Sequence, residues 1–235
     1  EEDRIIENDG TNAVVSNIVY TVAELQDALD KGKVDEIIFG ADLVGDVIIS
    51  QREGVNVYIN GANKKFDGTI NIHGNSRYTG AETILIKNVN FETETSKDFI
   101  WSDKGDDNVK RYAHNVTIED CTFKGVSGQV VVGMRLRQAY DVIVKNCNAE
   151  NVHSLVQNSS ANGLEINNVR VNGLTGINIP AGGNVEISNS VITATEENGF
   201  AVRTDGNNPG SMKISGCTFS ADRPVIVRNL TSTYN

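Results

Sequence analysis

Long apolar runs are the first thing missing from this chain of 235 residues. No stretch approaches the ~18 residues that a membrane-spanning helix needs. Cysteine is scarce, with three residues and no CxxC pair, which argues against both a zinc site and a disulfide scaffold. Leucine is scarce as well, at nine residues, too few for a leucine-rich repeat. Positive charge is the third deficit: 21 Lys and Arg face 31 Asp and Glu, a net charge of −10. With no basic domain or binding motif, nucleic acid is excluded as a partner. The excess acid belongs to residues 1–54, which hold 13 acidic and 4 basic side chains; the remainder is nearly balanced. The chain opens on Glu1 without a basic-then-apolar leader, so any targeting segment is expected to have been removed.

Asparagine, by contrast, is abundant at 28 residues, and internal repetition explains it. Six segments share one pattern: TILIKNVNF (83–91), NVTIEDCTF (115–123), DVIVKNCNA (141–149), GLEINNVRV (163–171), NVEISNSVI (184–192) and SMKISGCTF (211–219). NVYINGANKKF (56–66) is a looser relative. Each reads as an alternating strand, a tight turn and a second strand. The equivalent turn residues are Gly61, Asn88, Asp120, Asn146, Asn168, Asn189 and Gly216, spaced by 27, 32, 26, 22, 21 and 27 residues. A third apolar stretch follows each unit: GTINI (68–72), DFIW (98–101), QVVV (129–132), SLV (154–156), GINI (176–179), FAV (200–202) and PVIV (224–227).

Three short strands of about 3–5 residues per repeat predict a parallel β-helix of about seven to eight coils. Coils stack at the strand spacing of ~4.8 Å, so equivalent residues form ladders along the axis. Stacked Asn side chains bond one another and tolerate the left-handed backbone of a tight turn. The fold class is therefore all-β, a parallel β-helix. The open end of such a stack needs a cover. YTVAELQDALDKG (20–32) supplies it as a helix over 21–31. Thr21 and Glu24 form its capping box, Tyr20 staples onto Leu25, and Leu25, Ala28 and Leu29 make the apolar face before Gly32 ends it. Residues 1–19 are a lead-in strand or tail, residues 20–235 one domain, and Leu230–Asn235 the only candidate for a C-terminal cap.

The helix, the phrase VDEIIFGADLVGDVII (34–49) and the repeats together resemble the right-handed parallel β-helix proteins of the pectate-lyase-like superfamily, over about residues 20–230. In that superfamily the Asn turn joins the second and third strands, and the cleft runs along the first strand and its flanking loops. NVTIEDCTF is similar to the NVWIDHCTF of pectate lyases, with Thr117, Glu119 and Asp120 in place of Trp, Asp and His. The NTD, DD, GHG and RIK set of polygalacturonases and the RxPxxR of the lyases are absent. The resemblance thus implies a right-handed β-helix and specifies fold more than activity.

Cys121, Cys147 and Cys217 each follow the turn residue directly and share one inward ladder, as buried free thiols. His73, His114 and His153 lack metal-ligand spacing. The candidate site lies in three loops that leave the first strands: HGNSRYTGAE (73–82), SDKGDDNVKRYAHN (102–115) and GMRLRQAYD (133–141). They carry Arg77 with Tyr78, Arg111 with Tyr112, and Arg135 and Arg137 with Tyr140; Arg203 and Arg228 end later strands on the same edge. Tyrosine offers a flat face to a sugar ring, and guanidinium binds carboxylate or sulfate with a two-point fork. The competing reading folds the tyrosines back over the coil edge and pairs the arginines with Asp103, Asp106, Asp107 or Asp141.

The expectation is an exported, secreted or cell-surface protein that contacts a glycan, in particular an acidic polysaccharide. Two alternatives stand beside it. One is a calcium-dependent polysaccharide lyase, with calcium at Asp103, Asp106 and Asp107 and Arg135 or Arg137 as the catalytic base that the resemblance implies. The other is an adhesin stalk or spacer without a site.

Overall fold

The computed structural model describes residues 4–8, 13–32, 35–74, 82–102, 113–158, 160–180, 183–205 and 210–228. It is a parallel β-solenoid with three sheets and one short helix near the N-terminus. Strands β1 (Arg4–Asn8) and β2 (Ala13–Val19) form an antiparallel pair, and helix α1 (Val22–Lys31) follows. Eight rungs of three strands come next. Rung 1 holds β3 (Glu36–Phe39), β4 (Leu43–Val44) and β5 (Val47–Ser50); rung 2 holds β6 (Val57–Asn60), β7 (Lys65–Asp67) and β8 (Ile70–His73). Rung 3 holds β9 (Ile84–Lys87), β10 (Asn90–Glu92) and β11 (Lys97–Ser102); rung 4 holds β12 (Ala113–Glu119), β13 (Thr122–Lys124) and β14 (Val131–Leu136). Rung 5 holds β15 (Gln138–Lys145), β16 (Asn148–Val152) and β17 (Ser154–Gln157); rung 6 holds β18 (Ser160–Asn167), β19 (Arg170–Gly173) and β20 (Ile177–Ile179). Rung 7 holds β21 (Gly183–Ser188), β22 (Val191–Ala194) and β23 (Phe200–Asp205); rung 8 holds β24 (Met212–Ser215), β25 (Thr218–Ser220) and β26 (Arg223–Arg228). The first strands of these triplets, with β1 and β2, make the ten-stranded sheet A; the second and third strands make the eight-stranded sheets B and C.

Alternation drives the stacking. In β9, Ile84 and Ile86 point inward and are buried while Leu85 and Lys87 face out, and β6 repeats the pattern with Val57 and Ile59. A column of phenylalanines fills the N-terminal half of the core. Phe39 and Phe66 lie 6.0 Å apart between ring centroids, Phe66 and Phe91 5.8 Å, and Phe91 and Phe123 5.0 Å with planes only 3° apart. Cys121 and Cys147 are buried free thiols of one inward ladder, as expected; Cys217, in rung 8, is half-buried rather than buried. In that rung the inward-facing Ile214, Val225 and Val227 are exposed. The expected cap at Leu230–Asn235 lies outside the described residues.

At the other end α1 is the cover that the sequence implies. Thr21 Oγ1 accepts the Glu24 N–H at 3.2 Å, Glu24 Oε2 accepts the Thr21 N–H at 3.2 Å, and Gly32 closes the helix with a left-handed φ of 57°. Leu25, Ala28 and Leu29 are buried in the solenoid core, while Tyr20 stays 48% exposed. Gln26 adds a device that no apolar pattern reveals. Its amide donates to the Ile48 carbonyl at 3.0 Å and accepts the Ile48 N–H at 2.8 Å, taking the place of a neighbouring strand along the open edge of β5.

The turn from sheet A to sheet B is the Asn corner. Asn88, Asp120, Asn146, Asn168 and Asn189 have φ between 51° and 55°, and Gly216 has 61°. Asn168 Nδ2 donates to Asn146 Oδ1 at 2.8 Å, and Asn88 Nδ2 to Asn60 Oδ1 at 3.1 Å. Gly61 holds its expected place in the hydrogen-bond pattern, donating to Lys87 O at 2.8 Å. The left-handed residues of that longer turn, however, are Ala62 and Asn63.

A second correction concerns the corner from sheet C to sheet A. GMRLRQAYD (133–141), read above as a loop, is strand: Gly133–Leu136 lie in β14 and Gln138–Asp141 in β15, with Arg137 alone between them. Gly133 is buried within β14, where an added Cβ would stand 2.6 Å from the Leu155 carbonyl oxygen. Strands of seven or eight residues result, longer than the 3–5 expected. They bend at left-handed residues: Asn115 in β12 (φ 49°), Asp141 in β15 (53°) and Gly163 in β18 (85°).

Candidate functional site

The outer face of sheet C carries Arg135 and Arg203, with Arg137 at the corner after β14. In β11, Ile100 and Ser102 are buried, so Trp101 between them points outward. Strand register places Trp101 beside Asn71 of β8 on one side and Arg135 of β14 on the other. The same outward column begins at Ile48 of β5 and continues from Gln157 to Asn178 and Arg203, ending at Ile226. Rungs stand ~4.8 Å apart, so Trp101 and Arg203, four rungs apart, are separated by ~19 Å along the axis.

Two guanidiniums flank the indole. Arg137 Cζ lies 5.5 Å and Arg135 Cζ 5.9 Å from the Trp101 ring centroid, within cation–π range. Arg135 also reaches back to its own sheet: its Nε is 2.9 Å from Asp98 Oδ2, an ion pair by distance, with the N–H aimed off the line of contact. The Asp98 side chain is 15% exposed and that of Arg135 28%. Burial pushes the Asp98 carboxyl above its ordinary value; the nearby charges of Arg135 and Arg137 oppose that rise. Arg137 is exposed and makes no ion pair among the described residues. Farther along the column, Arg203 Cζ lies 5.7 Å from the Phe200 ring centroid.

Tyr140 stands elsewhere. It is a strand residue of β15, in register with His114, and the two rings stack at 4.9 Å with planes 17° apart. Burial holds the His114 imidazole below its ordinary pKa, opposed by Asp141, so the ring is an uncharged packing surface near neutral pH. Gln51, only 8% exposed, closes this corner by donating from Nε2 to His114 O at 2.5 Å and accepting the His114 N–H at 3.0 Å.

Of the remaining candidates, Arg77, Tyr78, Asp103, Asp106, Asp107, Arg111 and Tyr112 lie outside the described residues. Arg228 ends β26 in register with Asp205. Among the described residues no three His, Cys, Asp or Glu side chains are placed to hold a metal ion, and no helix is long and apolar enough to cross a membrane.

Sequence reasoning named Arg135, Arg137 and Arg203 among its candidates but not Trp101 and Asp98, which it had counted within an apolar stretch. Parity was the available signal: the sole tryptophan follows an inward isoleucine by one residue. Residues 16–130 match a family model described as a pectate lyase-like adhesive domain. The chain is thus similar to the pectate-lyase-like β-helix proteins, in sequence over that span and in its parallel solenoid. No curated protein and no solved structure matches significantly.

Proposed function

We propose that this chain is an extracellular adhesive module that binds an anionic glycan along the outer face of sheet C. Trp101 flanked by two guanidiniums carries this reading. An indole covers the apolar face of a pyranose, and a guanidinium beside it takes the carboxylate or sulfate of the same sugar. Asn71, Gln157 and Asn178 continue the column with amide donors and acceptors, and Arg203 supplies a second positive point ~19 Å from the indole. That length suits several residues of an extended glycan lying parallel to the axis. The match to an adhesive domain supports binding rather than turnover. So does the Asp98 ion pair, which engages Arg135 as a cation instead of leaving it to abstract a proton.

The test is binding of polygalacturonate and dextran sulfate, with neutral dextran as control, to the wild type and to Trp101→Ala and Arg137→Ala. Each substitution is expected to weaken polyanion binding by about tenfold, the equivalent of one cation–π or charge-assisted contact. Unchanged binding in both variants would rule out this face, and no polyanion binding by the wild type would leave the spacer reading standing.

A further inference from the structure

The same ion pair suggests how the site is regulated, an inference that rests on the anion-binding reading above. We infer that Asp98 is a built-in competitor for the ligand: its carboxylate occupies the Arg135 guanidinium in the unbound protein, and an incoming oxyanion must displace it or wait for its neutralisation. Asp98 sits on β11 and Arg135 on the adjacent β14, facing each other at 2.9 Å. Both side chains are largely shielded, so the pair is less screened than a surface ion pair. Arg137, with no such partner among the described residues, is the guanidinium that meets the ligand first.

The charges around Asp98 make the direction of the switch plain. Arg135 and Arg137 face it from β14 and the corner that follows. Lys97 on its own strand is tied to Asp67 of β7 at 3.2 Å, and so is already engaged. On the other side the chain entering β8 presents Thr69, which donates from Oγ1 to the Asp98 carbonyl at 2.8 Å; Asn71 and His73 follow it. Asp46 accepts the Thr69 N–H at 2.7 Å and is also engaged. Burial raises Asp98 above an ordinary carboxylate, so it takes up its proton before free uronates lose their charge. As pH falls through that window Arg135 loses its internal partner while sulfate and most uronate remain ionised. Binding of anions therefore tightens on mild acidification.

The protein carries its own reporter, because Trp101 is the sole tryptophan and touches both guanidiniums. The experiment has two parts. Without ligand, Trp101 fluorescence is titrated from neutral to acid pH in the wild type and in Asp98→Asn, which keeps the side-chain shape. A transition in the wild type that vanishes in the variant supports the switch; superimposable curves overturn it. With ligand, dextran sulfate and polygalacturonate are titrated into both proteins. Asp98→Asn is expected to bind either polyanion about three- to tenfold more tightly near neutral pH, with less pH dependence. If the wild type binds and Asp98→Asn binds no better, the competitor role is wrong while the site survives. If neither protein binds either polyanion, the site reading fails and this inference with it. Should Asp98→Asn fold poorly, the pH dependence of binding by the wild type decides: affinity for dextran sulfate that is flat or falls toward acid overturns the proposal.

Discussion

Replacing Gln51 by glutamate tests whether one side chain stands in for a strand. The buried amide gives His114 both bonds that a neighbouring backbone would give, one accepted and one donated. Glutamate has the same shape but keeps only the acceptor, so an oxygen faces the His114 carbonyl and one bond becomes a repulsion. Losing a donor costs about 1 kcal/mol, and a largely buried, unpaired carboxylate adds several-fold more unless it protonates. At 8% exposure of the native side chain, solvent offers the new carboxylate little relief. The expected loss is about 2–4 kcal/mol near pH 7, read as a lower urea midpoint with unchanged slope. Burial raises the pKa of the new carboxyl in the folded protein. The folded state therefore binds the proton more tightly than the unfolded one, and the penalty is largest above the folded pKa. As pH falls through it, the protonated carboxyl can donate to His114 O, and the deficit relative to wild type shrinks. A Gln51→Glu protein within about 0.5 kcal/mol of wild type near pH 7 would show that the amide is not completing the sheet.

Five further substitutions probe the stack itself. In Gly176→Ala the added Cβ would fall 2.1 Å from the Ala201 carbonyl oxygen, so a loss of about 2–4 kcal/mol in thermal unfolding is expected; an unchanged midpoint would refute the close approach. At Asn168, with φ 51°, glycine forfeits the bond to Asn146 and costs about 1 kcal/mol, whereas valine adds left-handed strain of about 1–2 kcal/mol; equal losses would mean that strain is not at issue. Phe91→Ala should cost about 3–5 kcal/mol, and Phe219→Ala, in the half-exposed last rung, clearly less. Equal effects would contradict the burial gradient along the core.

The fold was readable because a solenoid repeats its physics. One column of turn residues, Asn88, Asp120, Asn146, Asn168, Asn189 and Gly216, marks the same corner in six rungs, and each lies in the left-handed region. The helix was readable for a local reason, since Thr21, Glu24 and Gly32 state its ends independently of what it covers. Gln26 and Gln51 were not readable. Each bonds a backbone more than 20 residues away in sequence, and nothing in the neighbourhood of either glutamine distinguishes a strand surrogate from an ordinary polar side chain.

The site was half legible, and rung register explains which half. Facing within a strand follows from parity: buried Ile100 and Met134 put Trp101 and Arg135 outside. Which outward residues meet across rungs depends on how many residues each corner absorbs, and that number is not constant. Ten residues separate β11 from β12, but Arg137 alone separates β14 from β15. Treating both as loops spread Arg135, Arg137 and Tyr140 along one flexible edge. Once Gly133 is seen to continue a strand, Arg135 locks opposite Trp101, Arg137 turns at the corner beside the indole, and Tyr140 passes into sheet A against His114. The strand register through β14 thus decides which aromatic the arginines share. The ligand-binding prediction consequently rests on Trp101, and substituting Tyr140 should leave polyanion affinity within about twofold of wild type, since stacking on His114 is a packing contact. A loss in Tyr140→Phe comparable to that in Trp101→Ala would place the ligand on the sheet A corner instead.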